Sequence, residues 1–241
     1  MGKSEFRIKI EDTVQQRHSK VHPWSEAWVS GKLNKRLLGE WVKQHYHYVS
    51  HFPTWMATMY SNAQPEDVRL HLLENIAEED GLLGSGSYKP VSHTELLLGF
   101  GGHCGVRRNE ILDTQINGEL LPETLGLQSW GYRQSHKPYL EAIAGLLVGL
   151  ESQVPEIYMK TTPALLEKYG FTEEQVVFFT LHIEADQEHS GRGYQLLEKY
   201  IESDAEKEAC LRSVREATMM RRLYLDGLYN KFLVADKTAA A

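Results

Sequence analysis

Residues 182–189, HIEADQEH, place His182, Asp186 and His189 at spacings of four and then three. On a helix, positions four and seven residues on lie about 400° and about 700° round the axis, so the three side chains share one face. A buried helix face is ordinarily apolar, and an exposed one mixes Lys with Glu. Two imidazoles and a carboxylate on one face are metal-ligand types brought together. The plain alternative is a polar surface helix.

Other groups of the same chemistry lie upstream. Glu151 ends a run, Ala142 to Leu150, that is almost wholly apolar. Burying a lone carboxylate is costly unless a cation, a metal or a strong donor compensates; otherwise Glu151 turns to water at a helix end. HLLENIAEEDG offers a second acidic helix. His71, Glu74 and Glu78 share one of its faces, and Glu79 lies on another, above Asn75 and Leu72. Spacing does not choose between the faces, and an exposed acidic helix end competes with both. His93 follows a loop and falls in the first turn of a helix that Ser92 and Glu95 cap as a box. One carboxylate from Glu74, Glu78 or Glu79, with Glu151, His93 and the His182/Asp186/His189 triplet, makes six ligands of hard-to-borderline type. O2-activating di-iron sites in helical bundles use carboxylates of this kind with imidazoles. Iron supplies a redox step that side chains cannot.

The elements that must position these groups read as helices throughout. Helical spacing covers 4–20, 25–31 (ended by Gly31), 34–63 (capped by Asn34, kinked at Pro53) and 64–81 (Pro65 at its start, Gly81 after its end). Residues 82–91 read as a loop. A long helix over 139–170 is interrupted near Pro155, Thr172 caps 173–201, and a last helix runs from about 203 to 233. No strand alternation, repeat or linker is evident. The expectation is one all-α domain, residues 1–241, of seven or eight helices.

Hydrophobic content of 41%, charged content of 24% and aromatic content of 10% are those of a globular chain with a packed core. The net charge of −7 and the lack of a Lys/Arg cluster argue against nucleic acid or an anionic membrane as partner. The Arg221–Arg222 pair is too small to reverse that. Cys104 and Cys210, in no CxxC arrangement, point to a reducing, cytoplasmic setting. The N-terminus has no apolar signal core, Gly2 is followed by a poor myristoylation match, and no apolar run is long enough to span a membrane. The terminal DKTAAA is expected to fray.

The stretches HPWSEAWVSGKL, FPTWMATMYSNA, ENIAEEDG, SHTELLLGFG, LESQVP and HIEADQEH, over about residues 18–190, resemble the haem-oxygenase-like di-iron oxidase and oxygenase family. That family belongs to the TenA/PqqC-like superfamily, with the chlamydial CADD proteins. The resemblance implies a haem-oxygenase-like bundle. It implies a first ligand four residues after Asn75, which is Glu79, followed by His93, Glu151, His182, Asp186 and His189. It also implies two Fe ions, O2, a small-molecule substrate, an external electron donor and a homodimer, without haem, flavin or nicotinamide.

The cofactorless quinone-synthase branch lacks this full set. A proximal-His segment of the haem-oxygenase kind is not apparent, and neither cysteine matches the thiaminase nucleophile. The CADD-type para-aminobenzoate synthases consume a tyrosine of their own chain; the matching positions here are Ser25, Trp41, Leu150 and Phe178. The expected substrate is therefore a separate small molecule, an amino acid or other small carboxylate. It would undergo oxidative C–C cleavage, decarboxylation, rearrangement or N-oxygenation. The alternatives are a PqqC-like metal-independent oxidase, a CADD-like para-aminobenzoate synthase or a non-catalytic interaction protein. Trp41, Tyr48, Trp55, Phe178 and Phe179 are expected to wall the pocket, with simple core packing as the alternative; Tyr46 and Tyr158 are expected nearby. Lys160, His51, Arg107 and Arg108 are the candidate anchors for a substrate carboxylate, and solvated charge is the alternative for each.

Overall fold

A computed structural model describes residues 3–235. Met1, Gly2 and the DKTAAA tail, with the readings placed on them, lie outside the described residues. The described chain is all-α: α1 (Glu5–Gln15), α2 (Pro23–Val29), α3 (Lys35–Val49), α4 (Phe52–Asn62), α5 (Glu66–Glu79), α6 (His93–His103), α7 (Arg108–Leu112), α8 (Pro122–Ser135), α9 (Tyr139–Ile143), α10 (Val154–Glu167), α11 (Val177–Tyr200) and α12 (Asp204–Tyr229). The segments outnumber the expected helices because 34–63 divides into α3 and α4, 139–170 divides into α9 and α10, and α7 and α8 fall where no helix was expected. None is long and apolar enough to cross a membrane.

Local chemistry sets most of the boundaries. Asn34 Oδ1 accepts from the Leu37 N–H at 2.9 Å and starts α3. Pro53 does not kink a continuous helix; α3 stops at Val49 and α4 restarts at Phe52. Pro53 has no N–H to bond back to the Val49 carbonyl and is accommodated in the first turn of α4, so the chain turns at Ser50–His51. The first helix likewise ends at Gln15, five residues short of expectation, and a 3-10 turn, Ser19–Val21, leads into α2. Ser92 Oγ caps α6 through the Glu95 N–H. The reciprocal half of that box is not made. The Glu95 carboxylate instead takes the Arg108 fork at 2.6 Å on both nitrogens, a charge-assisted pair that outcompetes a neutral N–H.

The expected interruption near Pro155 is a change of pitch. α9 passes into a π-helical turn, Ala144–Leu150, then a 3-10 turn, Glu151–Gln153, and only then into α10, where Pro155 occupies the first turn at no cost in hydrogen bonds. Every residue from Ala142 to Glu151 is buried. The π turn packs against α12, and a Cβ on Gly149 would overlap the Cβ of Ala217. α4 and α8 meet as closely, with the Trp55 ring lying where a Gly131 side chain would be. Trp24, Trp55, Phe100 and Phe179 are fully buried in the core; burial of a side chain such as Phe179 stabilises by about 1.5–3 kcal/mol. Cys104 and Cys210 are free and buried.

Candidate metal centre

Four elements deliver the six side chains. Glu79 is the last residue of α5. Gly81 follows at φ +77°, and a Cβ there would strike the backbone of Val91 and Ser92. The left-handed glycine lets the 82–92 loop fold back, so that His93, the first residue of α6, lies against Glu79. The Glu79 Oε2–His93 Nδ1 distance is 3.1 Å. Glu151 closes the π turn. α11 supplies His182, Asp186 and His189 from its inner face. All six are buried, with exposures of 2–9%.

They sort into two triads: Glu79, His93 and His182, and Glu151, Asp186 and His189. Within each triad the donor atoms all lie within 4.8 Å of one another. Each imidazole has its outer nitrogen engaged. His182 Nδ1 donates to the Phe178 carbonyl at 2.6 Å. His189 Nε2 donates to Glu78 Oε2 at 2.9 Å. His93 Nε2 donates to Ser85 Oγ at 3.1 Å, and that hydroxyl donates to Glu78 at 2.8 Å. The inner nitrogens are thereby left as lone pairs, the tautomer a metal ligand needs.

Burial pushes the Glu79 carboxyl up, but His93 more than offsets this and holds it at about 2. Glu151 stands well above the usual carboxylate range, through burial and then the charges of Asp186 and Glu79. Burial carries Asp186 up to about 7, against the pull of His189. Burial, and then the neighbouring His93, push His182 down to about 3. His93 Nδ1, His189 Nδ1 and Glu151 Oε2 are buried without hydrogen-bond partners. Buried polar atoms are seldom left so. A cation in each triad would satisfy them and neutralise the crowded carboxylates, so the residues present fit a pair of metal ions.

A cavity of about 40 Å³ opens beside the triads, lined by Glu79, His93, Glu151, His182 and Asp186 on one side. Val49, Phe52, Thr94, Val154, Tyr158, Phe178, Tyr48, His45 and Arg221 form the rest of its wall. Of the expected substrate contacts, Tyr48, Tyr158 and Phe178 are thus in place. Trp41 is one layer out, stacked on His45 with ring centroids 4.3 Å apart, and lines an adjoining cavity of about 30 Å³.

The other expected contacts lie elsewhere. His51 bonds Gln128 at 2.6 Å between α3 and α8. Lys160 lies two residues beyond Tyr158, on the far side of α10, where it pairs with Glu26 and donates to the Lys20 carbonyl at 2.9 Å. Arg107 pairs with Glu110 and Arg108 with Glu95. Trp55 and Phe179 are core. Sequence reasoning missed His45 and Arg221. The available signal was stripe membership: Arg221 follows Ala217 by four and precedes Tyr224 and Leu225, all buried on one face of α12.

The fold and site together define a helical-bundle redox protein of the haem-oxygenase-like kind. A family model described as iron-containing redox enzyme matches residues 39–222, and the chain belongs to that family. Similar proteins include a 4-aminobenzoate synthase of Nitrosomonas europaea, 25% identical over 100% of this chain and 99% of its own length. Another is a 4-aminobenzoate synthase of Chlamydia muridarum, 26% identical over 92% of this chain and 89% of its own. A pyrroloquinoline-quinone synthase of Rhodopseudomonas palustris is 24% identical over 95% and 87%. Among solved structures, a haem-oxygenase-like domain of unknown function from Shewanella denitrificans has a TM-score of 0.78 at 16% identity, covering 96% of this chain and 94% of that one. A TenA homologue from Pseudomonas syringae has a TM-score of 0.76 at 14% identity, covering 94% and 93%. These two likenesses establish the shared fold.

Proposed function

We propose that this iron-containing redox enzyme is a non-haem di-iron oxidase or oxygenase that uses O2 to oxidise a small organic substrate. The observation that carries the reading is the sorting of six ligand-type side chains into two triads with unpartnered donor atoms at their centres. Glu79, His93 and His182 would hold one iron, and Glu151, Asp186 and His189 the other. Bound iron supplies the O2 chemistry that side chains lack. Glu79, Glu151 and Asp186 balance its charge. Phe178, Ser85 and Glu78 fix the three imidazole tautomers. Tyr48, Phe52, Tyr158 and Phe178 keep water from the reacting face. Oxidative C–C cleavage, decarboxylation, rearrangement and N-oxygenation all suit such a centre. A homodimer in the cytoplasm and an external electron donor complete the reading.

Anaerobic Fe(II) reconstitution with iron counted per chain, followed by O2 uptake, tests it. About two irons per chain are expected, with losses in Glu151→Ala and Asp186→Ala at retained helicity. A wild-type chain that binds no iron would falsify the reading; O2 uptake by that iron-free chain would turn it to a metal-independent oxidase. A second reading, 4-aminobenzoate synthesis, is favoured by the names of the relatives and by Tyr48 and Tyr158 on the cavity wall. Intact-mass measurement after O2 separates the two. Loss of mass at a tyrosine supports self-consumption, and an unchanged chain with multiple turnovers of added substrate supports the first reading.

A further inference from the structure

We infer that Arg221 is the carboxylate-binding residue of the cavity, and that the substrate is a small organic monocarboxylate whose acid group lies against its guanidinium. The inference rests on the di-iron reading for the fate of the rest of the molecule; the anchor itself stands on geometry.

Arg221 is 6% exposed. Its hydrogen bond among the described residues is from Nη1 to the Tyr48 hydroxyl at 3.2 Å. No carboxylate of the described residues pairs with it, whereas Lys160, Arg107 and Arg108 are all paired at the surface. A guanidinium carries five N–H donors in a planar fork that matches a carboxylate. Burying that cation beside neutral phenols is costly unless an anion completes it.

The anion belongs to the cavity for three reasons. First, Arg221 lines both the cavity beside the triads and the adjoining one, with His45 and Tyr158 as the other shared walls. Second, the acidic cluster does not use up the charge of Arg221. Glu78, Glu79, Glu151 and Asp186 are four carboxylates that two divalent ions would balance, so the Arg221 charge is the one left over. Third, no other wall residue can serve as a second cation for a doubly charged ligand. His45 is held between the Tyr158 and Tyr224 hydroxyls at 3.3 Å each, and it is kept neutral by burial and then by Arg221 itself. His93 and His182 face the acids. One fixed positive charge selects a monoanion over a phosphate or a dicarboxylate. Val49, Phe52, Val154 and Phe178 give the remainder of the ligand an apolar surround.

Equilibrium dialysis of the full chain tests this, with O2 excluded and iron counted in the same samples. The probes are radiolabelled benzoate and 3-phenylpropionate, each against its primary amide. The acids are expected to bind wild type roughly tenfold or more tighter than the amides, the scale of a charged hydrogen-bonded partner. Arg221→Gln is expected to abolish that preference at unchanged iron content. Should Arg221→Gln not fold by circular dichroism, Arg221→Lys decides: it keeps the charge, loses the fork, and is expected to lower the preference several-fold. Acids and amides binding alike, no acid binding at all, or a variant that keeps the full preference each overturn the anchor. Iron-free wild type with Arg221-dependent acid binding refutes the di-iron reading alone. Iron-loaded wild type without acid preference refutes the anchor alone.

Discussion

Glu78 belongs to neither triad, yet it reaches a histidine of each. Its Oε2 accepts from His189 Nε2 directly and from Ser85 Oγ, which in turn accepts from His93. Glu74, by contrast, is exposed, 3.7 Å from Arg192. Helical spacing left Glu74, Glu78 and Glu79 open, since neighbours at a helix end both face inward there and only the packing of α6 and α11 separates their roles. The His182/Asp186/His189 triplet was legible because it lies within one helix, and Glu151 because an acid closing an apolar run is conspicuous. Arg221 was not, because a count of basic residues hides one that sits on an apolar stripe. Outer partners of this kind are worth roughly 10–100-fold in metal affinity. Ser85→Ala and Glu78→Gln are expected to weaken Co(II) binding by such factors, Glu78→Gln more, in an optical titration. Equal affinity in Ser85→Ala and wild type would show that the hydroxyl does not hold His93.

The π turn between α9 and α10 is the element on which Glu151 depends. Its sequence is apolar all round, which announces a buried helix but carries no mark of pitch. Caps and glycine stops were readable at Asn34, Ser92, Gly31 and Gly81 because their chemistry is local. The turn at Ser50–His51 and the continuity through Pro155 depended on what each proline met in its own helix. Gly149 is where the π turn touches α12. Gly149→Ala is expected to cost about 1–3 kcal/mol of overpacking, read as a lower urea midpoint. Adding Ala217→Gly is expected to recover part of the loss, although glycine in a helix itself costs about 1 kcal/mol. If the double variant is less stable than Gly149→Ala, the two residues do not oppose each other as described.

Across the whole molecule, buried imidazoles tie stability to pH. Burial holds His18 at about 4, opposed by Glu156, and also lowers His22 and His47. An unfolded His takes up its proton near pH 6.5. Between that value and about 4 the unfolded chain binds a proton at residue 18 that the folded chain refuses, so His18 contributes stability above pH 6.5 and loses it as pH falls through 4. Melting temperatures taken from pH 7 to pH 4.5 are expected to drop, and less steeply in His18→Asn, where the amide can still cap the Lys20 N–H that His18 Nδ1 accepts at 3.1 Å. Parallel curves would remove His18 from the account.

α11 gives His182 to one triad and Asp186 and His189 to the other. The step from His182 to Asp186 is one turn of a single rod, about 6 Å of rise. The metric of the centre is therefore set by the pitch of one helix and not by how tightly the bundle closes. Breathing of α5, α6 or the π turn can shift Glu79, His93 or Glu151, but the spacing between the α11 donors of the two triads moves as a piece.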